Sequence, residues 1–142
     1  MTAASSAART GGTTSTRALA LLVAVLLDAL IWIIADPVAG IDLRIPDGPG
    51  STTTSELVLP AVIISVAVIS LAGWGLLALL ERLTARARTV WTAVASAVVL
   101  LSLVGPLLAE GLTAGNRVTL VCLHLAVGAV LIPAYRKNAR RA

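Results

Sequence analysis

The stretch that decides the fold is residues 57–91, LVLPAVIISVAVISLAGWGLLALLERLTARARTVW. Residues 57–80 carry no charge. An α-helix rises about 1.5 Å per residue, so this segment is long enough to cross a hydrocarbon core of roughly 30 Å. Arg82, Arg86 and Arg88 follow at once. Because basic residues are retained on the cytoplasmic side, they mark a cytoplasmic loop and so orient the rest of the chain.

Composition places the whole chain in the membrane class. Of its 142 residues, 58% are hydrophobic and 13% are charged, whereas soluble domains have about 45–50% apolar and about 25% charged residues. The net charge of +4 comes from basic residues that flank apolar runs and do not form one patch. Attraction to the anionic cytoplasmic leaflet therefore explains the charge better than nucleic-acid binding does.

Three further apolar runs complete the prediction of an all-α fold, an antiparallel bundle of four transmembrane helices with both termini cytoplasmic. The predicted spans are residues 18–35, 57–80, 90–109 and 118–135, within a membrane domain of residues 17–136. The first run exceeds the 7–15 apolar residues of a signal peptide and contains Asp28, which favours an uncleaved helix over a cleaved signal. Gly105-Pro106 should kink or end the third span.

The segments outside the spans are short. Residues 1–16 are small and polar, which predicts a disordered cytoplasmic tail, and residues 137–142 form a basic cytoplasmic tail. The longest connection is the outer loop 36–56, whose prolines forbid a continuous helix. Apolar and polar residues alternate around Leu43, which predicts a short strand or an extended lid. Thr53 and Glu56 have capping-box spacing ahead of the second span.

The distribution of basic and aromatic residues supports this topology. The basic residues predicted inside are Arg9, Arg17, Arg82, Arg86, Arg88, Arg136, Lys137, Arg140 and Arg141. Arg44 and Arg117 fall outside. The aromatic residues predict a belt, with Trp91 and Tyr135 at the inner interface and Trp32 towards the outer one, while Trp74 packs within the bundle.

Each span contributes one polar side chain at nearly the same depth. Asp28, Ser65, Ser102 and His124 lie about 2–5 Å to the outer side of their span midpoints. A charged Asp facing lipid costs about 2.5–3.5 kcal/mol or more, so Asp28 should face the bundle interior. We therefore predict an intramembrane polar site made of these four residues, with Asp28 paired to His124. The alternatives are a neutral Asp28 that only joins helices and a His124 that only packs.

Catalytic, cofactor and metal sites are not predicted. One His, one Asp and the distant Cys122 do not form a recognisable ligand set. A single cysteine excludes an internal disulfide and a CxxC redox pair. A Ser102–His124–Asp28 triad matches in depth only, and nothing in the sequence positions an oxyanion hole for it.

Two segments resemble a family of small four-span membrane proteins of unknown function from actinobacteria. They are AGWGLLALLERLTARARTVWTAVASAVVLLSLVGPL at residues 72–107 and LHLAVGAVLIPAY at residues 123–135, with agreement also at ALIW, residues 29–32. The resemblance covers residues 18–135 and implies the four-span fold, but no activity, ligand or catalytic residue. It also implies that Asn often stands where this chain has Asp28, which favours hydrogen bonding there over proton carrying.

Three functions follow as expectations. The first is a non-enzymatic protein of the plasma membrane, an accessory or scaffold-like component in contact with lipid and with copies of itself or a partner membrane protein. The second is a small proton-coupled transporter that uses Asp28 as its ionisable carrier. The absence of Phe leaves few aromatic residues to line a drug site in such a transporter. The third, an enzyme acting on a lipid or quinone, has no visible catalytic group.

Overall fold

The computed structural model describes residues 3–48 and 50–139, without the side chains of residues 3–13 and 138. Four helical segments are long and apolar enough to cross a membrane, and they are Thr14–Val38, Leu59–Leu83, Ala87–Leu108 and Ala114–Lys137. The predicted fold class, all-α with four membrane-spanning helices, is confirmed. The one addition is a small two-stranded sheet in the loop between the first two spans.

Helix α1 covers Ala3–Ile33 and continues as a π-helical segment, Ile34–Val38. Pro37 has no backbone N–H and therefore cannot donate to the carbonyl of Ile33, so the regular hydrogen-bond ladder cannot continue. The amide of Ala39 instead bonds the carbonyl of Ile34, and Gly40 at φ +70° takes the chain out of the helix. At its other end α1 begins at Ala3 and so reaches into the predicted tail, although Gly11, Gly12 and several Ser and Thr residues there are weak helix formers.

Helix α2 covers Leu59–Leu83. Its N-cap, Val58, makes no side-chain capping bond, and Pro60 occupies the first turn, where its missing N–H costs nothing. The capping box predicted from Thr53 and Glu56 is therefore wrong. Glu56 belongs to a β-strand, and α2 begins three positions after it.

The third span is broken, as Gly105-Pro106 predicted. Helix α3 covers Ala87–Ser102 and the short helix α4 covers Val104–Leu108. Pro106 cannot donate to the carbonyl of Ser102, and the hydroxyl of Ser102 donates to the carbonyl of Val99 at 2.7 Å. Such back-bonding by serine bends helices, so both effects act at the same point of the span.

Helix α5 covers Ala114–Asn138 and closes the fold. Helix α1 packs against α2 and α5, and α3 also packs against α2 and α5, so each long helix has two main neighbours. We call the end that carries Arg82, Arg86, Arg88, Arg136 and Lys137 the basic end, and the opposite one the hairpin end.

The hairpin end is covered by the loop between α1 and α2. Strand β1 (Arg44–Pro46) pairs antiparallel with β2 (Thr54–Glu56), with Arg44 opposite Glu56. The sequence predicted one short strand here and missed the second. Leu43, just before β1, is fully buried, whereas Ile45 is exposed. The predicted alternation therefore holds from Ile41 to Leu43 and fails at Ile45, so Leu43 is the residue that packs this strand region against the helices.

Candidate functional site

Asp28 lies on the buried face of α1. Residues four positions apart share a helix face, and Ala20, Ala24 and Asp28 are all less than 10% exposed. The small alanine side chains allow neighbouring helices to approach closely. Asp28 itself is 2% exposed, so the structure places this carboxyl inside the helix packing and away from lipid.

The buried carboxyl has an unsatisfied atom. In the part of the chain that the structure describes, Oδ1 of Asp28 is buried and makes no hydrogen bond. A buried polar group without a partner costs about 1–3 kcal/mol. Asp28 is therefore a costly residue for its position, and Ser70 and Asn116 share this feature, because their Oγ and Oδ1 atoms are also buried without a hydrogen-bond partner among the described residues.

The other three predicted residues do not join Asp28 in a hydrogen-bonded layer. Nδ1 of His124 lies 2.7 Å from the carbonyl oxygen of Leu120, on the same helix. Because a carbonyl can only accept, Nδ1 must carry the proton. Ser102 bonds its own helix through Val99, and Ser65 is exposed on α2.

Hydrogen bonds and ion pairs among the described residues include none between Asp28 and His124. The physical reason is that depth along a helix was estimated from residue number, whereas direction around the helix changes by about 100° with every residue. Ser65 is accordingly exposed and points away from the interior.

Instead, the polar contacts between elements lie nearer the two ends. At the basic end, Nη2 of Arg17 lies 2.6 Å from Oε1 of Glu81, joining α1 to α2. Both side chains are less than 10% exposed. From the sequence, Arg17 was predicted only as a flanking charge. The ion pair could have been predicted, because Arg17 and Glu81 have opposite charges and lie at the same predicted end of the first and second spans.

Two aromatic residues serve the same purpose and correct the predicted belt. Trp91 and Tyr135 are buried, at 2% and 0% exposure, instead of facing the interface. Nε1 of Trp91 donates to the carbonyl of Gly73 at 2.8 Å, and the hydroxyl of Tyr135 donates to the carbonyl of Ser70 at 3.1 Å. Their rings are 5.5 Å apart. Each aromatic therefore ties its helix to the backbone of α2.

At the hairpin end, a buried asparagine anchors the sheet. Asn116 is 1% exposed, and its Nδ2 donates to the carbonyl of Arg44 at 3.0 Å. Nε1 of Trp32 donates to the carbonyl of Leu57 at 2.7 Å, which ties the end of α1 to the entry of α2. Trp32 was predicted at this end from the sequence, whereas no role was predicted for Asn116.

Arg117 has a local structural partner on the short helix α4. Its guanidinium donates to the carbonyls of Pro106, Leu107 and Ala109, at 3.2, 2.7 and 2.5 Å. These are carbonyls at the C-terminal end of α4, which have no helical donor, and a positive charge is favoured there. One of the two basic residues predicted outside is thus used as a helix cap.

Potential metal ligands are scattered. Among the described residues there is no group of three or more His, Cys, Asp and Glu side chains that could hold a metal ion. Cys122 is exposed on α5, two positions before His124. The arrangement that stands out among the described residues is therefore the buried carboxyl of Asp28, which has no ion-pair partner and lies between two sets of interhelical polar contacts.

The comparison with known families gives one match. The model of a family of unknown function (DUF6069) matches residues 8–141. The chain belongs to this family. The resemblance found in the sequence is confirmed as membership of a family of unknown function that covers nearly the whole chain. No curated protein and no solved structure matches the chain.

Proposed function

We propose that this member of the family is a non-enzymatic, multi-pass protein of the plasma membrane that acts as an accessory or scaffold-like component. The observation that carries the proposal is the use of its polar side chains. Arg17, Asn116 and Arg117 each hold one element of the fold to another. Polar groups inside a membrane protein join helices at small net gain, typically about 0.6–2 kcal/mol each, and this supports an architectural role.

The proposed orientation places both termini and the basic end in the cytoplasm. Five of the basic residues of the described chain define that end, whereas Arg44 and Arg117 lie at the hairpin end. Arg44 bonds the hydroxyl and the carbonyl of Thr54, at 2.9 Å each, so both outer arginines have local structural partners. The positive-inside rule therefore favours this orientation.

The outward faces of the helices are apolar along their length. Exposed large residues include Leu26 on α1, Ile64 on α2 and Leu101 on α3, at 67%, 63% and 70% exposure. Lipid is the proposed surrounding of these faces, and further copies of the chain or a partner membrane protein are the proposed assembly partners. No nucleic acid, cofactor or catalytic residue is part of the proposal.

The test is the stability of the wild type and of Asp28→Asn in nanodiscs between pH 5 and pH 8. An architectural role predicts the same pH profile for both proteins, because the amide is close to the carboxylic acid in shape and hydrogen-bonding capacity. His124→Gln serves as a second variant that keeps a hydrogen-bonding side chain. A strongly pH-dependent wild type beside a flat, more stable Asp28→Asn would contradict the proposal.

A proton-coupled transporter is the second candidate, and one observation favours it. Asp28 is an ionisable group kept at 2% exposure with an unsatisfied oxygen, and buried ionisable groups in membrane helices are often functional. If the protein is such a transporter, we expect an imposed pH gradient to drive the flux of a small organic cation across liposomes that contain the wild type. Asp28→Asn should abolish this flux. Equal flux through wild type, Asp28→Asn and empty liposomes would remove this candidate.

A further inference from the structure

A cleft of about 360 Å³ opens at the basic end, between the start of α3 and the last turns of α5. It is lined by Arg88, Ile132, Pro133, Arg136 and Lys137. Its volume falls within the range of about 300–1,000 Å³ that is usual for small-molecule sites. Two helices that are not consecutive in the sequence therefore build one concave surface.

The cleft carries positive charge that the fold does not neutralise. Arg88, Arg136 and Lys137 take part in none of the ion pairs found among the described residues, which are Arg17–Glu81 and Arg44–Asp42. Three cations that converge on one cleft repel one another, and an anion bound between them relieves that repulsion. The site thus suits a ligand with a negative charge.

The apolar residues of the cleft lie deeper than the cations. Ile132 is one turn before Arg136 on α5, which is about 6 Å closer to the middle of the membrane. A free inorganic anion would leave the accessible apolar surface of Ile132 and Pro133 uncovered. A ligand with an anionic head and a hydrocarbon tail satisfies both parts of the surface at once.

We propose that this cleft binds the phosphate headgroup of an anionic phospholipid, with an acyl chain against Ile132 and Pro133. The guanidinium groups of Arg88 and Arg136 offer paired N–H donors to phosphate oxygens, and Lys137 adds a point charge. The proposal rests on membrane insertion and on the proposed orientation of the basic end, but not on the accessory role or on Asp28.

The chain supplies a matched control. Arg82 and Arg86 lie at the same end, are exposed and do not line the cleft. The double variant Arg82→Gln/Arg86→Gln removes as much charge as Arg88→Gln/Arg136→Gln. A lipid site in the cleft predicts different results for the two pairs, whereas a diffuse attraction to the leaflet predicts the same result.

In the experiment, dioctanoyl phosphatidylglycerol or dioctanoyl phosphatidylcholine is titrated into the full chain in neutral detergent. Native mass spectrometry measures the bound fraction at each lipid concentration. Each basic residue near the surface contributes about a five-fold effect on binding. We expect Arg88→Gln/Arg136→Gln to weaken phosphatidylglycerol binding about 25-fold, and Arg82→Gln/Arg86→Gln to weaken it less than about two-fold. Phosphatidylcholine, whose choline cation offsets its phosphate charge, should bind the wild type more weakly than phosphatidylglycerol does.

Three results would overturn the proposal. The first is an equal loss in both double variants, which means diffuse attraction only. The second is competition by glycerol phosphate at the same concentration as the lipid, which means a site for free phosphate. The third is an unchanged affinity of the Lys137→Gln variant for phosphatidylglycerol. This variant replaces the double variant if the double variant fails to fold, because Lys137 is exposed. Phosphatidylglycerol binding that is unaltered by Lys137→Gln would exclude the cleft as the lipid site, and this result in detergent is separate from any test of the orientation or of the accessory role.

Discussion

At the scale of single residues, Gly128 marks a close approach of α5 to α3. A Cβ atom built on Gly128 would lie 2.9 Å from Cγ2 and 3.3 Å from Cγ1 of Val99, closer than side chains normally pack. We expect Gly128→Ala to lower the free energy of unfolding by about 1–3 kcal/mol, because the extra methyl overpacks the contact. Thermal unfolding in detergent measures this loss.

Gly75 is the matched control for that prediction. It is also a helical glycine, on α2, and a Cβ atom placed on it would have no neighbouring atom within 4 Å. Gly75→Ala should be neutral or stabilising by up to about 1 kcal/mol, since alanine favours the helix. Val99→Ala should rescue Gly128→Ala by removing the clashing methyl groups. If Gly128→Ala were as stable as Gly75→Ala, the close approach would be disproved.

Arg117 carries the second prediction at this scale. Arg117→Met should expose three carbonyls of α4 without a donor and lower the free energy of unfolding by about 1.5–3 kcal/mol, the usual worth of hydrogen bonds from a charged group. Arg117→Lys keeps the charge but loses the fork of donors, so it should rescue only partly. Full stability of Arg117→Met would show that water caps α4 equally well.

At the scale of elements, the hairpin depends on pH through Asp47. The hydroxyl of Ser55 donates to Oδ1 of Asp47 at 2.5 Å, and this bond, followed by one from Thr53, holds the pKa of the Asp47 carboxyl below its usual value. Because the pKa is lower in the folded hairpin, the stabilisation is complete above the unfolded pKa of about 3.9 and is lost as the pH falls through the folded value.

We therefore expect the hairpin to loosen below about pH 4. Amide hydrogen exchange of residues 44–56, expressed as protection factors at pH 3 and pH 6, measures the effect. Ser55→Ala removes the main donor and should flatten the dependence. A hairpin whose protection is the same at both pH values in the wild type would contradict this role of Asp47.

The ends of the helices and strands show which local sequence signals were sufficient to predict secondary structure. Pro106 breaks the third span near its outer end in both the prediction and the structure, because a missing N–H and a ring clash act whatever the surroundings. The pairing of β1 with β2 was not predicted, although Asp47-Gly48 is a turn signal, because residues 47–53 separate the two strands instead of a two-residue turn. Backbone chemistry was readable from the sequence, whereas pairing partners were not.

At the scale of the whole molecule, the proposed orientation can be tested by labelling of cysteines from outside intact cells. In a Cys122→Ala background, Thr52→Cys places a thiol on the hairpin and Ala85→Cys places one between α2 and α3, and both positions are exposed. We expect an impermeant maleimide to label Thr52→Cys and to label Ala85→Cys only after the membrane is permeabilised. The reverse pattern would invert the topology.

The number of spans and their approximate positions along the chain could be read from the sequence alone, whereas the ends of the spans differ from the prediction by up to four residues. The bilayer imposes a single length on every crossing segment, and residues 57–80 meet it without a charge. Charge placement likewise predicted that Arg82, Arg86 and Arg88 share an end with Arg136, as they do in the structure. The length of an apolar segment and the position of basic residues depend only on the order of residues along the chain. Both can therefore be read without knowing which helices are in contact.

Which residues meet in the interior was decided only by the tertiary structure. Lipid tails are as apolar as Leu and Val, so hydrophobicity does not choose the inward face of a membrane helix. That choice depends on the mutual fit of side chains, which buries Tyr135 and leaves Ser65 exposed, whereas the inward position of Asp28 was predicted from the cost of a charge facing lipid. Residues of equal depth, such as Asp28 and His124, therefore looked like partners in the sequence although no hydrogen bond joins them in the described fold.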